Sequence, residues 1–161
     1  MLGLSFAKRP DNYKKIDELI SRSAQLKKKN INWLKKQGVT DVINFRVRDD
    51  IEDKFLESEL LEKVGIQYHH IPTDAKHPKE EQVGEFLNII EGIEENGGKI
   101  HIHCTAGADR TGMYSWIYKQ FHGLGTMEEN EKEMRDMGHD YLYYPALINW
   151  VKNFINENWW K

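Results

Sequence analysis

At 161 residues the chain suits one domain with a single sizeable core, and 39% hydrophobic with 30% charged residues is ordinary for a soluble globular protein. A formal net charge of -3 with no basic stripe argues against nucleic acid as a ligand, and no apolar run reaches the roughly 18 residues of a membrane span. The single cysteine excludes an internal disulfide and points to a reducing cytoplasm, and MLGLSFAKRPDNYKK does not read as a signal peptide.

In chain order, the first apolar stretch predicts a strand over Glu18–Ser21. A helix-like pattern over Asn30–Gln37 stops at Gly38, and a second strand follows at Asp41–Phe45. Glu52–Val64 reads as a helix ending at Gly65, and Ile66–Ile71 as a third strand. Pro78 precedes a helix over Lys79–Glu95, in which Val83, Phe86, Leu87, Ile90 and Ile93 recur near helical spacing. Lys99–His103 is the fourth strand. Beyond it the pattern is helical: Met113, Trp116, Ile117 and Phe121 form one stripe, and Thr126 with Glu129 forms a capping box before Met134. Pro145 opens a last helix carrying Leu147, Val151, Phe154 and Ile155. No repeat or linker divides the chain, so one domain over 1–161 is expected. Strands alternating with helices predict an α/β fold with a central, mostly parallel sheet of four to five strands flanked by helices. Ligands bind beyond the carboxyl ends of such strands. The loop after KIHIH lies there.

That loop, HCTAGADRT, holds Cys104 and, six positions on, Arg110. Between them Thr105, Ala106, Gly107 and Ala108 are small enough for the backbone to curl around a tetrahedral anion, its amides pointing inward as a nest. Gly107 supplies backbone angles that other residues resist. A helix beginning near Arg110 adds the positive end of its dipole, and the guanidinium can grip two phosphate oxygens. The same surroundings favour a thiolate at Cys104, the form that attacks. Thr111 can donate its hydroxyl to that sulfur when it leaves.

HCTAGADRTG resembles the C-x5-R-S/T signature of cysteine-based protein tyrosine phosphatases. It looks most like the small dual-specificity-like branch, which includes compact bacterial members. SRSAQ (Ser21–Gln25), Trp33–Arg46 and the later helices are arranged similarly, so the resemblance covers about residues 16–158. It implies a dual-specificity-phosphatase-like fold and phosphomonoester hydrolysis through a cysteinyl-phosphate, without metal or organic cofactor. Cys104, Arg110, Asp74 and Thr111 would be catalytic, and His103, Thr105, Ala106, Gly107, Ala108 and Asp109 would bind substrate. The family's general acid lies about thirty residues before the cysteine, where IPTDAKHP offers Asp74. Glu80, Glu81 and Asp109 are alternatives.

The expected partner is a phosphorylated protein or a small phosphomonoester, and neither nucleic acid nor stable membrane insertion is expected. A protein tyrosine or dual-specificity phosphatase is the leading reading, with an inositol phosphate or phosphoinositide phosphatase as its alternative. Thr105 and Ala108 stand where lipid-directed relatives often carry lysine, whereas Asp109 points the other way. Arg46, Arg48 and Arg22 are candidate substrate contacts, although solvated charges are commoner at strand ends. His69, His70, His101 and His103 raise a metal hypothesis that strand alternation weakens. Sulfur transfer, arsenate reduction and a non-catalytic phosphate-binding module are the competing classes. A complete set of nucleophile, cation, hydroxyl and acid argues against the last.

Overall fold

The computed structural model describes residues 7–51 and 55–158. Its elements are β1 (Lys14–Lys15), β2 (Ile20–Ser23), α1 (Lys28–Lys36), β3 (Asp41–Asn44), β4 (Asp50–Ile51), β5 (Phe55–Leu56), α2 (Glu57–Lys63), β6 (Gln67–His70), α3 (Glu80–Glu95), β7 (Ile100–His103), α4 (Arg110–Phe121), α5 (Met127–Asp136) and α6 (Leu147–Asn158). The main sheet runs β1-β2-β7-β3-β6, parallel except for β1, and β4 pairs with β5 as a separate ribbon. This is the α/β, mostly parallel sheet with flanking helices that the alternation predicts.

Because β2, β7 and β3 have both faces covered, every residue in them is buried. Adjacent residues of β3 feed opposite layers. Val42 joins Ile31, Leu34 and Leu61 beneath α1 and α2, while Ile43 joins Phe86, Trp116 and Val151 beneath α3, α4 and α6. The register sets Ser23, His103, Asn44 and His70 side by side. Cys104 therefore leaves the sheet from its middle, at the carboxyl edge.

Several boundaries differ from the sequence reading. The first strand begins at Ile20, because Asp17 Oδ1 accepts the amides of Leu19 (2.8 Å) and Ile20 (2.9 Å) and holds Glu18 in a turn. It extends to Ser23 because the side chains of Arg22 and Ser23 find buried partners. The expected helix over Glu52–Val64 begins only at Glu57. Phe55 and Leu56 pair with β4 instead, and residues 52–54 lie outside the described part. The expected stops at Gly38 and Gly65 stand, at φ +84° and +76°. So does the capping box: Glu129 N–H donates to Thr126 Oγ1 (3.1 Å) and Thr126 N–H to Glu129 Oε2 (2.9 Å). No helix among the described residues is long and apolar enough to cross a membrane.

Candidate active site

The strand β7 delivers Cys104 to the sheet edge, and α4 opens six residues later on Arg110. Between them the chain closes a loop whose carbonyls are captured from outside. The Gln25 amide donates to Thr105 O (2.9 Å), Asn12 Nδ2 to Ala106 O (3.1 Å) and Arg22 Nη2 to Gly107 O (2.7 Å). In a planar trans peptide the next N–H points opposite to the carbonyl. The amides of Ala106, Gly107 and Ala108 are thereby turned toward the inside of the loop, the side an anion would occupy.

Gly107 is needed twice over. Its φ is +74°, and a Cβ there would lie 2.5 Å from Ser23 C and 2.6 Å from Ala24 N. Cys104 is 2% exposed and the methyl of Ala108 is equally sheltered. Arg110 folds over the front of the loop. Its Nη2 donates to Thr105 Oγ1 (2.9 Å), and its Nη1 reaches the carbonyls of Phe45 (3.3 Å) and Thr73 (3.4 Å). Thr111, fully buried one position on, has a hydroxyl with no hydrogen-bond partner among the described residues.

Asp74 emerges after β6 at this same edge, next to Thr73, whose carbonyl meets Arg110. It is exposed, and its carboxylate accepts His77 Nδ1 (3.0 Å) and the Lys76 amide (2.9 Å). The His77 bond foremost, then the amide, holds its carboxyl below the usual range. Of the alternative acids, Glu80 and Glu81 lie exposed in the first turn of α3. Asp109 Oδ1 is committed to His139 Nδ1 (2.6 Å) and the Asp140 amide (2.9 Å).

His103 departs from the role that the resemblance implies. Its side chain is fully buried, with Nδ1 3.2 Å from Cys104 O and Nε2 2.6 Å from Glu57 Oε1, a close contact off the line of a hydrogen bond. It cannot touch substrate and acts as a support under the loop. Among the described residues the other histidines are not grouped as metal ligands. His101 sits between Ser21 Oγ (2.8 Å) and Ser23 Oγ (2.7 Å), and burial, then the proximity of His103, pushes it well below its usual value. His69 contacts Asp41 and His70 contacts Arg46 O.

Arg22 is the residue most misjudged from sequence. Neither a substrate contact nor a solvated charge, it is 1% exposed and lies behind the loop. Burial lowers its proton affinity, and the charges of Glu133 and Cys104 oppose that effect. Glu57, Asn12 and His139 were also invisible as loop supports. No spacing rule links them to a motif that far along the chain.

A cleft of about 570 Å³ opens beside the loop, with Thr105 and Arg110 on one side and Lys27, Arg46, Arg48 and Asp50 among its other walls.

Fold and loop together define a phosphatase of the cysteine-dependent tyrosine phosphatase superfamily. Residues 5–142 match the family described as DSP-PTPase phosphatase fused to NAD+ kinase, and the chain belongs to it. No curated protein matches the sequence. Among solved structures, TpbA of P. aeruginosa is 20% identical with a TM-score of 0.75, over 95% of this chain and 92% of that one. The core catalytic domain of the PP-IP phosphatase SIW14 from S. cerevisiae, in complex with citrate, is 15% identical with a TM-score of 0.73, over 96% of each chain. Tk-PTP in its active form is 23% identical with a TM-score of 0.70, over 91% and 97%. At these identities the likeness is one of fold.

Proposed function

We propose that this chain hydrolyses phosphomonoesters in two steps. The scissile phosphate sits on the inward amides of 104–110, with Arg110 across two of its oxygens. The Cys104 sulfur attacks phosphorus, the ester bond breaks, and Asp74 protonates the departing oxygen. Water then attacks the cysteinyl-phosphate, Asp74 takes its proton, and the sulfur leaves with the Thr111 hydroxyl available to it. The outward capture of the Thr105, Ala106 and Gly107 carbonyls carries this reading, because it commits three amides to an anion site directly after the only thiol.

Asp74 is ionised at rest, but an arriving phosphate dianion adds like charge beside it and raises its proton affinity, as a general acid requires. Protein phosphotyrosine, other phosphorylated side chains and small phosphomonoesters are the candidate substrates. A TpbA variant has been crystallised with pTyr, and SIW14 is described as a PP-IP phosphatase, so similar folds serve both kinds.

The test is turnover of p-nitrophenyl phosphate. Cys104→Ser should abolish it while the far-UV spectrum and melting curve persist, and Asp74→Ala should lower kcat by about 10²–10⁴-fold. Near-normal turnover in the serine variant would refute covalent catalysis at this position.

A further inference from the structure

Arg46 lies in the wall of the cleft beside the loop, 7% exposed. Its Nε donates to Asn44 Oδ1 and its Nη1 to Gln25 Oε1, both at a long 3.3 Å, and its Nη2 has no partner among the described residues. Among the described residues no carboxylate pairs with it. A buried cation served only by two weak neutral bonds carries a desolvation cost that an anion would relieve.

The other charges of the cleft do not supply that anion. Asp50 is taken by Arg48, whose Nε lies 2.7 Å from Oδ1 and whose Nη2 lies 2.5 Å from Oδ2. Lys27 has only a loose 3.6 Å contact with the exposed Asp11. Arg110 is turned to Thr105 Oγ1 and to the carbonyls of Phe45 and Thr73. Among the described residues Arg46 therefore has no carboxylate at ion-pair distance, and Lys27 has only that loose one. Between them the cleft is floored by the buried Leu26 and Ile51, with the exposed Val47 at its edge. Its volume falls within the roughly 300–1,000 Å³ of small-ligand sites.

Resting on the phosphatase reading of residues 104–110, we propose that this cleft is a second phosphoryl subsite. Arg46 and Lys27 would grip the distal phosphate of a small bisphosphorylated substrate while the loop holds the scissile one. The planar fork of Arg46 suits a tetrahedral oxyanion, which would replace its two long bonds.

Two matched pairs test this: fructose bisphosphate against fructose monophosphate, and adenosine bisphosphate against adenosine monophosphate. A phosphotyrosyl peptide and p-nitrophenyl phosphate complete the panel. At least one bisphosphate should exceed its monophosphate in kcat/KM by about ten- to a hundredfold, the scale of a charged hydrogen-bonded contact. Arg46→Gln should bring that ratio close to one, and the more conservative change at the half-buried Lys27, Lys27→Gln, should reduce it in part.

The same comparison is made for binding, by titrating each ligand into Cys104→Ser protein. If Arg46→Gln fails to fold, Lys27→Gln and the wild-type ratios still decide. Ratios near one in both pairs, an unchanged ratio in the variants, or a phosphotyrosyl peptide preferred over both bisphosphates overturns the subsite. Preferential binding of a bisphosphate without Cys104-dependent hydrolysis of any substrate would uphold the subsite and sink the phosphatase reading. Hydrolysis of p-nitrophenyl phosphate with no bisphosphate preference would do the reverse.

Discussion

Gly107→Ala probes the loop more sharply than removal of the nucleophile, because it adds one methyl group and deletes no chemistry. Two costs combine at this position. A left-handed φ of +74° costs an L-residue about 1–2 kcal/mol. The new Cβ would also lie 2.5–2.6 Å from Ser23 C, Ala24 N and Ser23 O, all backbone atoms at the end of β2. Ordinary carbon contacts are about 3.5–4.0 Å, so the loop must retreat by roughly 1 Å. Overpacking of this kind adds about 1–3 kcal/mol, for a total near 2–5 kcal/mol.

A chain of this size melts about 2–4 °C lower per kcal/mol, so the variant should lose roughly 4–20 °C. A shift of about 1 Å at a reacting group costs on the order of 10²-fold in rate. Gly97→Ala is the control. It shares the strain, at φ +73°, but has no atom within 4 Å of the added carbon. It should lose only about 1–2 kcal/mol and keep its kcat. Kinetics on p-nitrophenyl phosphate and thermal melting, run on both variants, separate the two costs. If Gly107→Ala matched Gly97→Ala in rate and melting point, the loop would not lie against β2 as described.

His77→Ala removes the foremost cause of the lowered Asp74 carboxyl, so that carboxyl rises. The acid then keeps its proton to higher pH, and the basic limb of the rate profile should move upward; an unmoved limb would assign the acid elsewhere. Thr111→Val replaces a buried hydroxyl that has no partner by an isosteric methyl, so melting should hold or improve while hydrolysis of the cysteinyl-phosphate slows. Burst kinetics would show this as a larger burst over a slower steady rate. For Glu133, burial acts to raise the carboxyl, but the bonds from Lys14 and Lys119 outweigh it and hold the group low. A lowered folded value means stability present above the unfolded value and lost as pH falls through the folded one. Glu133→Gln should therefore flatten the acid side of the melting-temperature profile, read by scanning calorimetry across pH.

The parts of the site legible in sequence are those whose chemistry is local. Cys104, Gly107 and Arg110 share one loop, so their spacing carries the geometry directly. Asp74 was offered by the resemblance, and the fold places it after β6, next to Thr73, whose carbonyl meets Arg110. What stayed hidden depends on pairings between distant segments. Arg22 in SRS looks like a strand-end charge, and only the fold puts Gly107 O against it. Glu57 looks like one more acidic residue inside the helix expected over Glu52–Val64. In the fold it is buried against His103, 46 positions along. The offset of β2 has a similar cause. The apolar pair of ELIS, Leu19 and Ile20, is real, but the Asp17 turn consumes the first two residues of the stretch, and the polar pair after it is buried by tertiary partners.

Those distant partners also explain how a loop of inward amides can persist. Parallel N–H dipoles aimed at one point repel one another, so in the absence of an anion the conformation must be held from behind. The three captured carbonyls do this, and the strongest of the captures comes from a guanidinium that has itself lost its solvent. Glu133 and the cysteine sulfur oppose part of that desolvation, although burial remains the larger effect. Glu133 in turn is fixed by Lys14 from β1 (2.6 Å) and Lys119 from α4 (2.9 Å). A two-residue edge strand and the far end of the helix that Arg110 opens thereby become part of the loop's support. Loosening either should be felt first as a floor of the phosphate loop that no longer holds its shape, and only afterwards as a loss of the fold.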